Sequence, residues 1–364
     1  MQDKFFSGLK VIEFSSVLAG PAVGMFFAEL GAEVIKIENK TTGGDVTRGW
    51  KHPSESPDSP ISAYWCSVNW GKQHLFLDLG NAEDQHRAME MALAADVVIS
   101  NFKPSSAKRM GVDADALRKA NPRLIYAQLS SFADPEDESP AFDALLQAEA
   151  GFMYMNGEAG GAPVKMPVAL IDLLAAHQLK EAILLAVLHR ERTGEGATLS
   201  TSLMESALSS LANQASSYLM TGHIPQRMGT RHPNIAPYGD MFPCADGQMI
   251  LLAVGTERQF RQLCSSIGQE HLPQQEKFAN NRARVQHREE LNGMLGAALA
   301  QRTLNDWIAI FKSNGVPAAR ICDMKAVFER PEARAMVLEE QAPDGSNTLR
   351  VKTVAFHVEF EPIV

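Results

Sequence analysis

Cysteine is scarce. The 364 residues hold four, at Cys66, Cys244, Cys264 and Cys322, with no CxxC pair among them. That spacing gives neither a zinc site nor a disulfide framework, and a reducing compartment is the simpler setting. Long apolar runs are missing too. No stretch suffices to span a bilayer, and the start, Met1-Gln2-Asp3-Lys4, lacks the apolar segment of a secretory signal. Basic residues are outnumbered 34 to 43, for a formal charge of −9. This argues against a general binder of nucleic acid or anionic membrane. A small anionic ligand stays open, because a few local Lys and Arg suffice for it. A soluble, cytoplasmic protein is expected, with no nucleic-acid or membrane partner.

Several chemical signatures are also absent. No GxGxxG follows the first predicted strand, which weakens a claim for NAD or FAD. Trp70-Gly71-Lys72-Gln73 has a Gly-Lys pair, but no Ser or Thr follows it and no Walker loop results. There is no HExxH and no GxSxG. Ten histidines are present, yet His223 and His232 lack the carboxylate spacing of a metal set, so no metal is expected.

At 45% hydrophobic the chain can bury a large core, and its length suggests two domains. Leu9–Phe14 reads as a buried strand, Ala22–Leu30 as a helix ended by Gly31, and Glu33–Glu38 as a second strand. Strand, helix and strand with short connections predict a parallel sheet and a right-handed crossover. Further strands are predicted at 75–79, 96–100 and 124–129, with helices at 83–95 and 114–119, giving about five βα-type units by residue 130. An acidic loop, 134–140, precedes a helix over 143–149. A strand at 198–201 and one helix over 205–220 follow. Residues 222–240 are rich in Gly, Pro and His without clear periodicity, and the domain boundary falls there. The predicted organisation is α/β: a large domain over 1–221, a linker over 222–240, a smaller α/β domain over 241–326, and a C-terminal return over 327–364 with a strand at 349–356. No internal repeat is found.

The stretch Val168–Ala176 stands out. A short apolar run meets Asp172, and Leu173, Leu174, Leu179, Ile183, Leu184, Val187 and Leu188 then recur at helical spacing. Thr193-Gly194 is a stop signal. Asp172 is expected at the N-cap, with its pKa depressed by backbone N–H groups and the helix dipole. Capping alone would account for the residue; a catalytic carboxylate is the alternative.

Local matches to one family run along most of residues 7–255: the AGP after the first strand, AELGAEVIKIE at 28–38, GDVTRGW at 44–50, NWGK at 69–72, NFKP at 101–104 with RMG at 109–111, NPRLI at 121–125, Phe142-Asp143, the Asp172 stretch, and RERTGEG at 190–196. As a set they resemble the family III coenzyme A transferases (the CaiB/BaiF group), which include formyl-CoA transferase, carnitine CoA-transferase and α-methylacyl-CoA racemase. The resemblance implies a Rossmann-like large domain made from both chain ends, a smaller domain from the middle, and a homodimer of interlocked subunits. It implies no permanent cofactor, with coenzyme A as substrate. Val364 follows soon after the last predicted strand, whereas family members continue into another helix.

The resemblance also implies roles. Asp172 matches the catalytic aspartate. Leu18 and Ala19 match the loop that contacts CoA. The family's basic residue after the second strand falls at Asn39, with Lys40 beside it for that role. Lys72, Asn101, Phe102, Lys103 and Arg109 match positions that hold the nucleotide and its phosphates; for Lys72 and Arg109 the alternative is a solvated surface charge. The racemase branch carries His immediately before the residue matching Asp143, giving an acid/base pair across the α-carbon. Here that position is Phe142, so the chain resembles the transferase branch. Asp172 is then a nucleophile on the acyl-CoA thioester, and Asp143 positions substrate or water or is a solvated helix residue. Leu18 stands where the formyl-CoA enzymes use Gln, which argues against an oxalate/formate pair. Arg227, Arg231 and His232 could meet a second carboxylate, which points to a small dicarboxylic or hydroxy acid as acceptor; a structural linker is the alternative. A racemase-like isomerase and a CoA-binding protein without activity are the other readings.

Overall fold

The structure is a computed structural model. It describes residues 5–134, 136–137, 139, 141–342 and 345–359. The start at Met1–Lys4, the end at Val364, and Pro135, Glu138 and Pro140 of the acidic loop lie outside the described residues. The chain divides into two compact units. One comprises Met1–Phe152, Lys165–His223 and Glu332–Val364, and the other Met153–Val164 and Ile224–Pro331. Three details differ from the sequence-based limits, the first being that the C-terminal return begins at Glu332 rather than at 327. Residues 153–164 leave the first stretch for the smaller unit, and 224–240 belong to that unit rather than to a linker.

The larger unit is built on a six-stranded parallel sheet. Its strands are β1 (Lys10–Phe14), β2 (Glu33–Asn39), β3 (Gln73–Leu77), β4 (Val97–Ser100), β5 (Ile125–Ser130) and β6 (Thr198–Ser202), in the spatial order β3-β2-β1-β4-β5-β6. Apolar residues alternate between two buried faces, as the period of two in a strand requires. Val11, Val34, Val97, Ile125 and Ala127 face helix α1 (Ala19–Glu29) and the long helix Leu170–Thr193. Ile12, Ile37, Val98 and Tyr126 face the helices Ala82–Leu93 and Ala114–Ala120. Helices on both faces explain why the strands read as continuous apolar runs.

Two predicted elements change. The single helix expected over 205–220 is two, Leu203–Ser209 and Ala212–Thr221, separated where Ala212 takes a φ of 47°. The strand expected over 349–356 is Asn347–Val351, which pairs antiparallel with Val337–Gln341. The smaller unit has a three-stranded antiparallel sheet of β7 (Tyr238–Pro243), β8 (Met249–Ala253) and β9 (Ala318–Arg320). Its core includes Phe260, Leu263, Leu291, Leu295, Trp307 and Phe311. Among the described residues no helix is long and apolar enough to cross a membrane.

Candidate active site

Order in the large sheet reverses between β1 and β4. From β1 the chain proceeds to β2 and β3 on one side, and from β4 to β5 and β6 on the other. The connections therefore diverge at the carboxyl ends of β1 and β4, where open α/β sheets form their ligand crevice. A cleft of about 420 Å³ lies there, lined by Ser16 to Ala19 after β1, by Asn101 to Pro104 after β4, and by Phe142 and Asp172.

Asp172 does not occupy the N-cap expected for it. The helix begins at Leu170, and the N-cap residue is Ala169, which has no side chain able to cap. The missing acceptor comes from another helix, Asp143–Glu149. Its first residue, Asp143, accepts the backbone N–H of Ile171 at Oδ1 (2.7 Å) and the Gln147 amide at Oδ2 (2.6 Å). Asp143 is thus neither solvated nor free; it is buried and caps the Asp172 helix from outside. Asp172 sits in the first helical turn, 7% exposed. Its pKa is not depressed. Burial first, and the Asp143 charge second, raise it to about 7. The attraction of the helix start for an anion is modest and does not offset these terms.

The cleft gathers Leu18, Ala19, Asn101, Phe102 and Lys103 with Asp172. Asn39 ends β2 and lines a neighbouring cavity of about 310 Å³, which Phe102 also borders. The Asn39 side chain caps the short turn that follows, accepting from Thr41 N–H at 2.9 Å. Lys40 is exposed on that turn. Arg109 ends the helix Pro104–Arg109, exposed, with Nη2 donating to Ser106 Oγ at 3.3 Å, and lines neither cavity.

Lys72 requires a correction. Its side chain is fully buried, and Nζ donates to Glu13 Oε2 (2.7 Å), the Pro21 carbonyl (2.8 Å) and Asn69 Oδ1 (3.1 Å). An ammonium so occupied is a core counter-ion, not a phosphate contact. Arg227, Arg231 and His232 also have internal partners. Arg227 donates to the carbonyls of Gly161 (2.9 Å) and Tyr154 (2.8 Å), Arg231 pairs with Glu289 (2.5 Å), and His232 Nδ1 accepts from Asn234 N–H (3.1 Å).

The Lys72 pair belongs to a buried ionic cluster, of which Lys36, Glu38 and Asp45 line the neighbouring cavity of about 310 Å³. Lys36 bridges Glu13 (3.1 Å) and Asp45 (2.9 Å). Burial alone would raise the Glu13 pKa, but Lys72 and Lys36 outweigh it and hold the carboxyl below its ordinary value. Glu38 holds Arg48 through two bonds of 2.7 and 2.6 Å, and Arg48 also stacks over Trp65 at 4.1 Å. Asp45 reaches up to the cleft, where its two oxygens accept Val17 N–H at 3.3 and 3.2 Å. Val17 takes a φ of 73°, unusual for a β-branched residue. Such conformations cost on the order of 1–3 kcal/mol and tend to cluster at functional sites. Asn101 secures the preceding residue, accepting from Ser16 N–H (3.2 Å) and donating to Ser16 C=O (3.0 Å). Sequence reasoning missed this cluster as a unit. Glu13 and Lys36, charged residues inside apolar strands, were the available signal.

A family model described as CoA-transferase family III matches residues 6–363. The chain belongs to that family. Among curated relatives, an acyl-CoA transferase of Fusarium pseudograminearum is 38% identical over 92% of this chain and 74% of its own. The succinate–glutarate CoA-transferase of Agrobacterium fabrum is 36% identical over 95% of this chain and 88% of its own. A CaiB/BaiF family protein from Brucella suis has a crystal structure that superposes with a TM-score of 0.84, at 35% identity, over 98% of this chain and 93% of that one. The family model and these relatives together make this family III chain a CoA-transferase, a class of enzyme that uses CoA as substrate.

Phe142 lies at the rim of the cleft, 56% exposed, and immediately precedes the Asp143 helix. Its ring offers no proton to exchange. Tyr64 is half-buried and packs edge-on against Trp50 at 5.1 Å. Burial, then the charges of Asp172, Asp143 and Asp45, push its hydroxyl up to about 12. It is a neutral hydrogen-bond donor within electrostatic reach of both carboxylates, and no local pattern marked it. Together the cleft offers a carboxylate in a poorly solvated setting, an uncapped helix start at Leu18-Ala19 and a lysine. That combination suits attack on a thioester and stabilisation of developing negative charge.

Proposed function

We propose that this enzyme moves CoA from an acyl-CoA donor to a small dicarboxylic acid, with Asp172 as the nucleophile. The observation that carries the reading is the buried Asp172 carboxylate in the cleft at the sheet's switch point. The ionised carboxylate attacks the donor thioester carbonyl; the C–S bond breaks, leaving an aspartyl-acyl anhydride and CoA thiolate. The thiolate then attacks the Asp172 carbonyl and releases the donor acid, giving an aspartyl-CoA thioester. The acceptor carboxylate attacks that thioester, expelling the thiolate and forming a new anhydride. The returning thiolate takes the acceptor acyl group and restores Asp172. No net proton is consumed.

Leu18, Ala19, Asn101, Phe102 and Lys103 are proposed to contact CoA along the cleft, with Asn39 and Lys40 towards its nucleotide end. The succinate–glutarate relative supports a dicarboxylic acceptor. A homodimer is proposed as well, for which the exposed Leu185, Leu188, Leu219 and Met220 on two helices of the larger unit offer apolar side chains. Incubation with succinyl-CoA and a panel of carboxylic acids, read by mass spectrometry for new thioesters, tests the reading. Transfer that Asp172→Ala abolishes is expected. Deuterium exchange at the α-carbon of a 2-methylacyl-CoA without transfer would instead establish a racemase-like activity, and CoA binding with neither reaction would overturn the enzyme reading.

A further inference from the structure

We propose that Asp45 is a positioning residue for CoA, acting by holding Val17 in its left-handed conformation. The proposal rests on the reading of the cleft as the CoA site. Val17 has a φ of 73°, and its side chain is β-branched, so the loop would relax away from this shape if nothing held it. Asp45 supplies the restraint through both carboxylate oxygens, at 3.3 and 3.2 Å from Val17 N. The carboxylate is itself fixed by Lys36 Nζ at 2.9 Å, Thr47 N–H at 3.0 Å and Thr47 Oγ1 at 2.8 Å. Its own backbone N–H donates to Glu38 Oε2 at 2.7 Å. Asp45 is 6% exposed and lines the neighbouring cavity of about 310 Å³ with Asn39, not the cleft that holds Asp172.

What Val17 controls lies directly downstream. Leu18 precedes the first turn of α1, and both Leu18 and Ala19 line the cleft with Asp172. The dihedral angles at Val17 therefore set where the uncapped N–H groups at the start of α1 point. The competing role for Asp45 is counter-ion to Lys36 alone. The two roles separate by one substitution. Glycine adopts positive φ without steric cost, so Val17→Gly removes the need for a restraint but leaves the Lys36 pair untouched.

The test is calorimetric titration of coenzyme A into wild type, Asp45→Ala, Val17→Gly and the double variant, with KM and kcat for succinyl-CoA. Asp45→Ala is expected to weaken CoA binding at least tenfold when Val17 is present and threefold or less when combined with Val17→Gly. KM should carry most of the loss and kcat little. Equal losses in both backgrounds, or no loss from Asp45→Ala, overturn the proposal while leaving wild-type binding intact. A wild type that binds no CoA overturns the cleft reading as well. If Asp45→Ala alone does not fold, Asp45→Ala with Lys36→Met removes both charges of the pair, keeps Glu13 on Lys72, and carries the same comparison.

Discussion

The carboxylate of Asp143 accepts the backbone N–H of Ile171 at 2.7 Å, one residue before Asp172. One side chain thus fixes the start of the Asp172 helix and adds to the negative charge that the Asp172 carboxyl feels.

Asp143→Asn separates these two effects. The amide oxygen can still accept Ile171 N–H, while the negative charge near Asp172 is gone. The raised Asp172 pKa, about 7, owes its second contribution to that charge. The acid limb of kcat/KM for the acyl-CoA donor should therefore lie near pH 7 in wild type and move to lower pH in the variant. The variant also places an amide NH2 against Gln147, for a stability cost of about 1 kcal/mol. A pH–rate profile checks the shift; an unmoved limb would mean that Asp143 acts only as a cap.

Asp172 itself should be destabilising. Its pKa rises from 3.8 to about 7 on folding, and the unfolded carboxyl ionises first. Between those values the native state binds the extra proton, so this contribution to stability falls as pH rises through the window and levels off above pH 7. When both states are ionised the cost is on the order of 4 kcal/mol. Asp172→Asn should consequently raise the melting temperature, more at pH 8 than at pH 5, while abolishing transfer. Calorimetric scans at both pH values provide the check.

Lys72→Met should cost about 3–5 kcal/mol, the penalty of breaking a buried ion pair from one side. Glu13 keeps Lys36 at 3.1 Å, which places the loss towards the lower end. Urea unfolding measures it. The dependence of CoA affinity on salt should be unchanged in the folded variant, because Lys72 Nζ is committed inside the core. A flatter salt dependence would return Lys72 to the role of phosphate contact.

Much of the sheet was legible because a parallel strand buried on both faces leaves a plain apolar run; β1, β2 and β4 were placed to within a residue or so. The cleft residues after β1 and β4 were legible only as family motifs, since nothing local marks Asn101 as the clamp on Ser16. The start of the Asp172 helix was misplaced for a definite reason. An N-cap pattern assumes that the capping oxygen lies next to the helix in sequence, and here it comes from Asp143. The pKa of Asp172 followed the same error: a cap residue is stabilised as an anion, whereas a buried first-turn residue beside another carboxylate is not. The helix break at Ala212 carries neither Gly nor Pro and had no signal to read.

Gly24 provides a test in which local propensity and tertiary packing predict opposite signs. It lies inside α1, where replacing Gly by Ala ordinarily stabilises by about 1 kcal/mol. Here a β-carbon would overlap the Glu13 carboxylate and approach Lys72 Cε to 3.3 Å. The carboxylate cannot swing away without leaving one of its two ammonium partners, and both are buried. The ionic cluster should therefore outweigh helix propensity, and Gly24→Ala should destabilise by about 1–3 kcal/mol, the usual range for overpacking. The urea midpoint measures the sign. A neutral or stabilising substitution would show that Glu13 can re-seat between Lys36 and Lys72, and that the cluster is softer than its distances imply.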